Sequence, residues 1–265
     1  MVSGKPARQA PLLSDAYVLH RYDWSESSLI LDLFTRERGR VAVAAKGAKR
    51  PYSQLRPVLL PFQRIHVTLG RTPADESAEV HTLRHAEWAG GGPMLSGGAL
   101  FSGFYLNELL MKLLARHDPH PTLFDAYRAT LPALASGHEA LAQASLRAFE
   151  LLLLRETGHL PDLATVTLTQ RAVEAGAHYQ LVPESGVVVT REEALSLTGA
   201  TLTLLQSALD GHDAAALQTA CVPAASALRT SLRALLHYHL GAPALRTRQV
   251  MQSVQRLIDL TPTTR

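Results

Sequence analysis

One cysteine, Cys221, stands in the sequence of 265 residues. A lone cysteine excludes intramolecular disulfides and any zinc site built from cysteines, and it is typical of a protein that stays in a reducing cytoplasm. The sequence also lacks an apolar window of about 18 residues, so we predict no membrane-spanning segment. Residues 1–13 lack the apolar core of a signal peptide and are predicted to form a disordered lead-in.

The motifs of common enzymes are missing as well. There is no G-x-S-x-G elbow, no Walker A loop and no G-x-G-x-x-G after a predicted strand. The twelve histidines include three closely spaced pairs, none of which is combined with a carboxylate at the spacing of metal ligands. These pairs are His81 with His85, His117 with His120, and His237 with His239. We therefore predict no enzyme, no cofactor and no metal; a hydrolase built around the histidines is the alternative ranked last.

Positive charge is concentrated in two parts of the chain, although the net charge is only +3. Residues 36–71 contain nine basic residues and one acid, and residues 225–265 contain six arginines and one acid. Residues 72–224 contain eight basic and seventeen acidic residues. This distribution indicates a side of the molecule that faces a polyanion. The alternative is a set of solvated faces that happen to be unevenly charged.

Five short segments in the first third of the chain are typical of strands, because they alternate or are rich in β-branched and aromatic residues. They cover residues 16–22, 28–35, 40–46, 62–69 and 79–84. The turn "RERG" joins the second and third segments, and Gly39 can take a positive φ there. So many strands in so short a stretch favour a closed barrel, since closure removes exposed edges. We predict a five-stranded OB-fold barrel over residues 14–88.

The pattern changes at residues 89–98, a predicted Gly-rich linker. Beyond it, apolar residues recur at three- and four-residue spacing and predict an α-helical domain over residues 99–265. The fold class is therefore α+β multidomain. Predicted helices in the second half include residues 191–199, 213–221 and 224–241. An irregular, cysteine-free insert covers about residues 159–189, and "HYQLVPESGVVV" within it predicts a hairpin.

The loop between the third and fourth predicted strands contains the segment "KGAKRPYSQLRP" without a single acid. Its cations are Lys46, Lys49, Arg50 and Arg56. OB barrels bind single-stranded nucleic acid with a basic groove that follows phosphates and with aromatic side chains that stack on bases. We predict that the four cations contact phosphates and that Tyr52 stacks on a base. Phe34 and Phe62 lie within apolar strand patterns and are predicted to be core.

A resemblance to a known family is carried by four segments. They read "AYVLHRYDWSESSLILDLFTRERGRVAVAAKGAKRPYSQLRPVLLPF", "FYLNELLMKLLARHDPHPTLFDAY", "LRAFELLLLRETGHLPDL" and "YHLGAPALRTRQVM". Together they resemble the RecO family of bacterial recombination mediators from about residue 14 to residue 257. The residues Asn107 to Leu110 and Asp118 to Pro121 are the most specific part of the match.

The resemblance implies an N-terminal OB-fold, a helical C-terminal domain and a non-enzymatic role in RecF-type recombinational repair. Members of the family bind single- and double-stranded DNA, anneal complementary strands and contact the C-terminal tail of single-stranded DNA-binding protein (SSB). With RecR they help load RecA on SSB-coated DNA, so we expect a cytoplasmic, nucleoid-associated protein. Many members carry a four-cysteine zinc module where this chain has residues 159–189 without cysteine, so we predict no zinc. An OB-fold RNA-binding protein is the alternative, because these residues do not distinguish DNA from RNA.

Further site residues are predicted in both domains, from charge and, for Arg147, from the resemblance. A second set of predicted DNA contacts, with solvated outer faces as the alternative, consists of Arg38, Arg40, Arg64 and Arg71. Arg147 matches the arginine of the family's "LRxFE" stretch and is predicted to pair with the carboxylate of the SSB tail, beside Leu146 and Phe149. The alternative is an intramolecular pair of Arg147 with Glu150 or Glu139. Arg246 and Arg248 are predicted to extend the DNA path or to contact RecR, or else to complement helix ends.

Overall fold

A computed structural model of the protein describes residues 13–70, 80–241 and 245–260. The chain folds into two compact units. The first unit comprises Met1–Gly92 together with Ala115–Pro119, and the second comprises Pro93–Leu114 together with His120–Arg265. Each unit has its own buried apolar residues.

The first unit contains a closed barrel of five strands. They are β1 (Leu13–Asp23), β2 (Leu29–Thr35), β3 (Gly39–Ala45), β4 (Arg64–Leu69) and β5 (Val80–Trp88). Their order around the barrel is β1-β2-β3-β5-β4, and pairing of β4 with β1 closes it. The pair β3–β5 is parallel and the other pairs are antiparallel. This OB-fold barrel, followed by helices, confirms the predicted fold class.

The alternation of the strands explains the barrel interior. Successive side chains of a strand point to opposite faces, so every second residue can be buried. Val18, Leu31, Val43, Ile65 and Val67 contribute to one apolar core in which each is fully buried. The intervening side chains lie on the outer face of the barrel, where that of Asp32 is covered by its neighbours.

The β2–β3 turn depends on Gly39. Its φ is +63°, in the left-handed region, and a Cβ built on it would overlap with the backbone oxygen of Asp118. The hydroxyl of Thr35 donates a hydrogen bond to the Gly39 carbonyl at 2.9 Å, which fixes the turn. The predicted turn and the positive φ of Gly39 are therefore confirmed.

We expect Gly39→Ala to lower the free energy of unfolding by about 2–5 kcal/mol, because a left-handed backbone and a steric overlap are both penalised. Gly90→Ala is the matched control: Gly90 also has a positive φ, +79°, but a Cβ there meets no described atom within 4 Å. The control should lose only about 1–2 kcal/mol. Urea denaturation followed by circular dichroism measures both, and equal losses would show that the Asp118 backbone moves aside.

The second unit is mainly helical. Its helices are α1 (Gly97–Leu113), α2 (Pro121–Ala135), α3 (Glu139–Glu156), α4 (Gly199–Asp210), α5 (Ala214–Leu240) and α6 (Arg246–Leu260). Helix α3 packs against both α2 and α5, which explains why its segment Leu151–Leu154 is buried on every side. No described helix is both long and apolar enough to cross a membrane.

Small strands occupy the insert between α3 and α4. Strand β6 (Thr165–Val166) pairs with β7 (Arg171–Ala172), and β8 (His178–Val182) lies between β9 (Gly186–Val189) and β10 (Leu197–Thr198). The predicted hairpin of this insert is confirmed as β8–β9, with Val182 opposite Gly186. A β-structure thus forms in the segment that lacks the four cysteines.

Two predictions for the helical unit are wrong. Residues 191–199 were predicted to be a helix, but Leu197–Thr198 form β10 and the Thr198 side chain accepts a hydrogen bond from the Thr201 amide as the N-cap of α4. The predicted helices 213–221 and 224–241 are one helix, α5, with Pro223 inside it. Proline usually interrupts a helix, yet here the buried stripe of Leu217, Cys221, Ala224 and Leu228 runs past it without a break.

Candidate nucleic-acid interface

The basic loop, residues 46–63, begins beside the β1–β2 connection at one end of the barrel. The register pairs Leu29 with Ala45, so β2 starts where β3 ends. The amide of Lys49 donates a hydrogen bond to the Ser27 carbonyl at 3.0 Å, and the Gly47 amide donates to the Ser28 hydroxyl at 3.4 Å. These bonds join the two loops into one surface.

Hydrogen-bonded turns shape the basic loop, and most of its long side chains are exposed. The amide of Arg50 donates to the Gly47 carbonyl at 3.1 Å, and the Ser53 amide donates to the Arg50 carbonyl at 3.0 Å. Lys46, Arg50 and Arg56 are exposed and form no ion pair within the described part of the chain. Tyr52 is 95% exposed, so its ring is available for stacking.

Lys49 differs from the other cations of the loop. Its ammonium lies 3.1 Å from a carboxylate oxygen of Asp23 and donates a hydrogen bond to the Ser25 carbonyl at 3.0 Å. The Lys49 side chain is only about one third exposed, whereas that of Asp23 is 81% exposed. Lys49 therefore both links the two loops and remains within reach of solvent.

A cleft of about 440 Å³ lies between the basic loop and β1. It is lined by Arg21, Asp23, Leu29, Ala48, Lys49, Arg56 and Leu59. Three of these seven side chains are cations and one is an acid, so the cleft carries positive charge. The guanidinium of Arg21 donates a hydrogen bond to the Leu59 carbonyl at 3.3 Å, which holds the far side of the loop against β1.

The second set of predicted DNA contacts is not gathered in this cleft. Arg38 lies in the β2–β3 turn at the opposite end of the barrel, and Arg71 lies outside the described residues. Arg40 lies 4.0 Å from the buried Asp32 carboxylate. Arg64 lies 3.0 Å from Asp15, to which His66 is also paired. Among the described residues, the structure thus brings together the loop cations, whereas Arg38, Arg40 and Arg64 lie outside the cleft lining.

Three residues near the basic loop, Arg21, Asp23 and Trp24, are outside the set of contacts predicted from the sequence. Arg21 belongs to a predicted strand, and Trp24 is not among the predicted aromatic contacts. Trp24 follows β1 in the β1–β2 connection and is 58% exposed, close in the chain to Asp23 of the cleft. The signal was present as "DWSES", a large aromatic residue in a polar turn. Phe34 and Phe62 are buried, as predicted.

The predicted tail-binding arginine of the helical unit is buried. Arg147 is 6% exposed, and its guanidinium lies 2.9 Å from a carboxylate oxygen of Glu150, which also accepts a hydrogen bond from the Tyr105 hydroxyl at 2.7 Å. Burial raises the pKa of Glu150 although the Arg147 charge opposes it, and burial raises the pKa of Tyr105 well above its usual value. Leu146 and Phe149 are also buried. The intramolecular pair with Glu150, one of the two alternatives, is therefore present.

The C-terminal arginines begin helix α6. The amides of Arg246 and Thr247 each donate a 2.9 Å hydrogen bond to the Glu108 carboxylate on α1. Burial acts to raise the pKa of Glu108, but these bonds and Lys112 outweigh it and lower that pKa. The Glu108 carboxylate thus holds the backbone at the start of α6. Of the two arginine side chains there, Arg246 is exposed and Arg248 is half-buried.

Metal-binding groups are not assembled in the described residues. No cluster of three or more histidine, cysteine or acidic side chains occurs within residues 13–70, 80–241 and 245–260. Cys221 is buried in α5, and burial raises the pKa of its thiol to about 12. The donor set of a four-cysteine zinc module does not fit this chain, and the absence of zinc stays a prediction.

Comparison with known proteins agrees with this two-part organisation. The family profile described as Recombination protein O N terminal matches residues 11–91, and the profile described as Recombination protein O C terminal matches residues 94–249. The chain belongs to the RecO family. The DNA repair protein RecO of Polaromonas naphthalenivorans is 54% identical over 245 residues, which cover 91% of this chain and 96% of that protein.

Two further RecO proteins match over nearly their whole length. The DNA repair protein RecO of Verminephrobacter eiseniae is 52% identical over 246 residues, covering 91% of this chain and 96% of that protein. The DNA repair protein RecO of Delftia acidovorans is 50% identical over 261 residues, covering 97% of this chain and all of that protein. Membership of RecO thus places the chain among DNA repair proteins with an OB-fold.

Proposed function

We propose that the protein is a non-enzymatic DNA-binding protein of RecF-type recombinational repair. In this proposal it binds single- and double-stranded DNA, anneals complementary strands and, with RecR, helps load RecA on SSB-coated DNA in the cytoplasm at the nucleoid. The observation that carries the proposal is the exposed basic loop of an OB-fold barrel, which contains Tyr52 and is hydrogen-bonded to the β1–β2 connection that contains Trp24. This combination of cations and aromatic rings fits a single strand, whose phosphates and bases both need partners.

Annealing follows from charge neutralisation. Two complementary strands repel each other because each carries one negative charge per nucleotide, and a bound cation releases the counterions that screened the phosphate. Lys46, Arg50 and Arg56 offer exposed positive charges without an acidic partner in the described residues. A strand that they bind repels its complement less, so pairing becomes faster without any covalent step.

We assign partner contacts to the helical unit. The SSB tail would pair its terminal carboxylate with Arg147 beside Leu146 and Phe149, which requires this buried arginine to exchange Glu150 for the tail. Arg246 and Arg248 would extend the DNA path or contact RecR. Their side chains start from a helix end that Glu108 holds in place.

Annealing of two complementary fluorescent oligonucleotides tests the proposal. We expect the full-length protein to accelerate duplex formation at low salt, with the effect weakening as salt increases. Unlabelled DNA should compete for the bound oligonucleotide better than RNA of the same sequence. Stronger competition by RNA would favour the RNA-binding alternative, and no acceleration at any salt concentration would contradict annealing.

We expect Trp24→Ala to weaken binding of single-stranded DNA about 5- to 100-fold, because stacking on one base contributes about 1–3 kcal/mol. Trp88→Ala is the matched control, since Trp88 is also well exposed, at 62%, but belongs to β5. Fluorescence anisotropy of a labelled oligonucleotide measures the dissociation constants. Equal effects of the two substitutions on the dissociation constant would contradict a specific contact of Trp24 with DNA.

A further inference from the structure

The cleft beside the basic loop contains one acid among its cations. Asp23 ends β1, and its carboxylate lies 3.1 Å from the Lys49 ammonium. Arg21 and Arg56 line the same cleft, so Asp23 neutralises one of three positive charges that converge there. An acid in the lining of a cleft that should attract phosphates needs an explanation.

The Asp23 carboxylate is paired with Lys49 but is not fixed in place by burial. Its side chain is 81% exposed, and an exposed pair of this kind contributes little to stability. Lys49 by contrast is fixed by its second hydrogen bond, from the ammonium to the Ser25 carbonyl, and by the bond of its amide to Ser27. The cation is therefore positioned, whereas the carboxylate can turn away into solvent.

We propose that the cleft is the binding site for one backbone phosphate of a single strand and that Asp23 occupies Lys49 until the phosphate displaces it. The inference rests on the proposed function and names the ligand group of the same interface. A phosphate and a carboxylate present similar oxygen acceptors to an ammonium, so the exchange replaces one charge-assisted hydrogen bond by another. Arg21 and Arg56 then act on the phosphate but have no corresponding acid in the cleft lining.

This exchange makes Asp23 an internal competitor. Nucleic acid must displace a carboxylate before it reaches Lys49, which lowers affinity for any strand that fails to engage the other cations as well. Removal of the carboxylate should therefore tighten binding rather than weaken it. If Asp23 only repelled DNA through its charge, removing any other solvated acid nearby would tighten DNA binding by a similar factor.

The test compares Asp23→Asn with Glu26→Gln in the full-length protein. Glu26 is an exposed acid three residues after Asp23, in the β1–β2 connection, and is not part of the cleft lining, so both substitutions remove one negative charge close together in the chain. Anisotropy with a labelled oligothymidine at low salt should show binding about two- to fivefold tighter for Asp23→Asn and a clearly smaller change for Glu26→Gln. The gain of Asp23→Asn should disappear when Lys49 is also replaced by methionine, and thermal melting verifies that each variant is folded.

Equal effects of Asp23→Asn and Glu26→Gln would overturn the inference, and so would an undiminished gain in the Lys49→Met background. Either result leaves the proposed function standing, because the wild-type protein still binds. Failure of the wild-type protein to bind oligothymidine even at low salt would overturn the proposed function and this inference together.

Discussion

Replacing Lys46, Lys49 and Arg50 together by alanine is expected to flatten the salt dependence of single-stranded DNA binding. On a log–log plot the slope should fall by roughly two units, since each phosphate contact on a single strand contributes about 0.7. Lys46 and Arg50 are exposed cations without an ion pair among the described residues, and Lys49 lines the cleft. Anisotropy titrations at several salt concentrations measure the slope directly.

A control with the same loss of charge separates contact from net charge. Arg128, Arg171 and Arg191 are exposed arginines of the helical unit, and their triple alanine variant also loses three positive charges. The control should keep the wild-type slope and lose only a little affinity at low salt. If the loop variant keeps the wild-type slope, the basic loop is a solvated turn and DNA binds elsewhere, for example at Arg246 and Arg248.

Breaking the buried Arg147–Glu150 pair is expected to cost about 3–5 kcal/mol of the free energy of unfolding, because the remaining charge has no water to solvate it. The exposed pair Arg128–Asp125 has the same sequence spacing, with a distance of 3.2 Å. Arg128→Ala should therefore cost at most about 1 kcal/mol. Urea denaturation at pH 8 compares the two arginine variants, and similar losses would contradict the assigned burial of Arg147.

The stability losses of Arg147→Ala and Glu150→Ala should depend differently on pH. In Arg147→Ala, burial raises the pKa of Glu150 without an opposing cation, so the folded state binds a proton more tightly than the unfolded state. The stability loss should therefore be largest at pH 8 and shrink as the pH falls toward 5. Glu150→Ala leaves a guanidinium that stays protonated, so its loss should not shrink in this way. Denaturation of both variants at the two pH values provides the comparison.

This stability loss also affects how the SSB-tail proposal can be tested. A single Arg147 substitution confounds lost binding with unfolding, whereas Tyr105→Phe, Arg147→Met and Glu150→Leu together replace the buried polar groups by apolar ones of similar size. Once circular dichroism has verified that this triple variant is folded, its failure to bind an SSB-tail peptide would support a tail contact at this cluster, as the Arg147 proposal expects. Unchanged binding would remove Arg147 from that role.

The barrel was predictable because strand signals are local. Alternation in β3 and β4 and the turn at Gly39 each lie within a few residues, and the loop cations stand together in the sequence. The continuity of α5 was not predictable in the same way. Pro223 interrupts the local pattern, and only packing against α3 shows that the buried stripe continues.

The candidate site likewise contains some residues that local sequence predicts and others that only the fold brings together. Lys46, Arg50 and Arg56 were identified from their density in one loop, but Arg21 and Asp23 join the cleft only because β1 ends beside that loop. Their sequence positions lie more than twenty residues away from it. The ion pairs of Arg40 with Asp32 and of Arg64 with Asp15 are likewise cross-strand contacts, which no one-dimensional pattern reveals.

The barrel unit is discontinuous in sequence, and this affects any attempt to isolate it. Residues Ala115–Pro119 return to that unit after α1, where the His117 amide donates a 2.9 Å hydrogen bond to the Arg40 carbonyl and Arg116 lies 3.5 Å from Asp32. A fragment that stops at Gly92 would leave the Arg40 carbonyl without this donor and Asp32 without one of its cations. An independently folding barrel should therefore be made by joining residues 115–119 to the fragment through a short linker, rather than by cutting the chain at the apparent boundary.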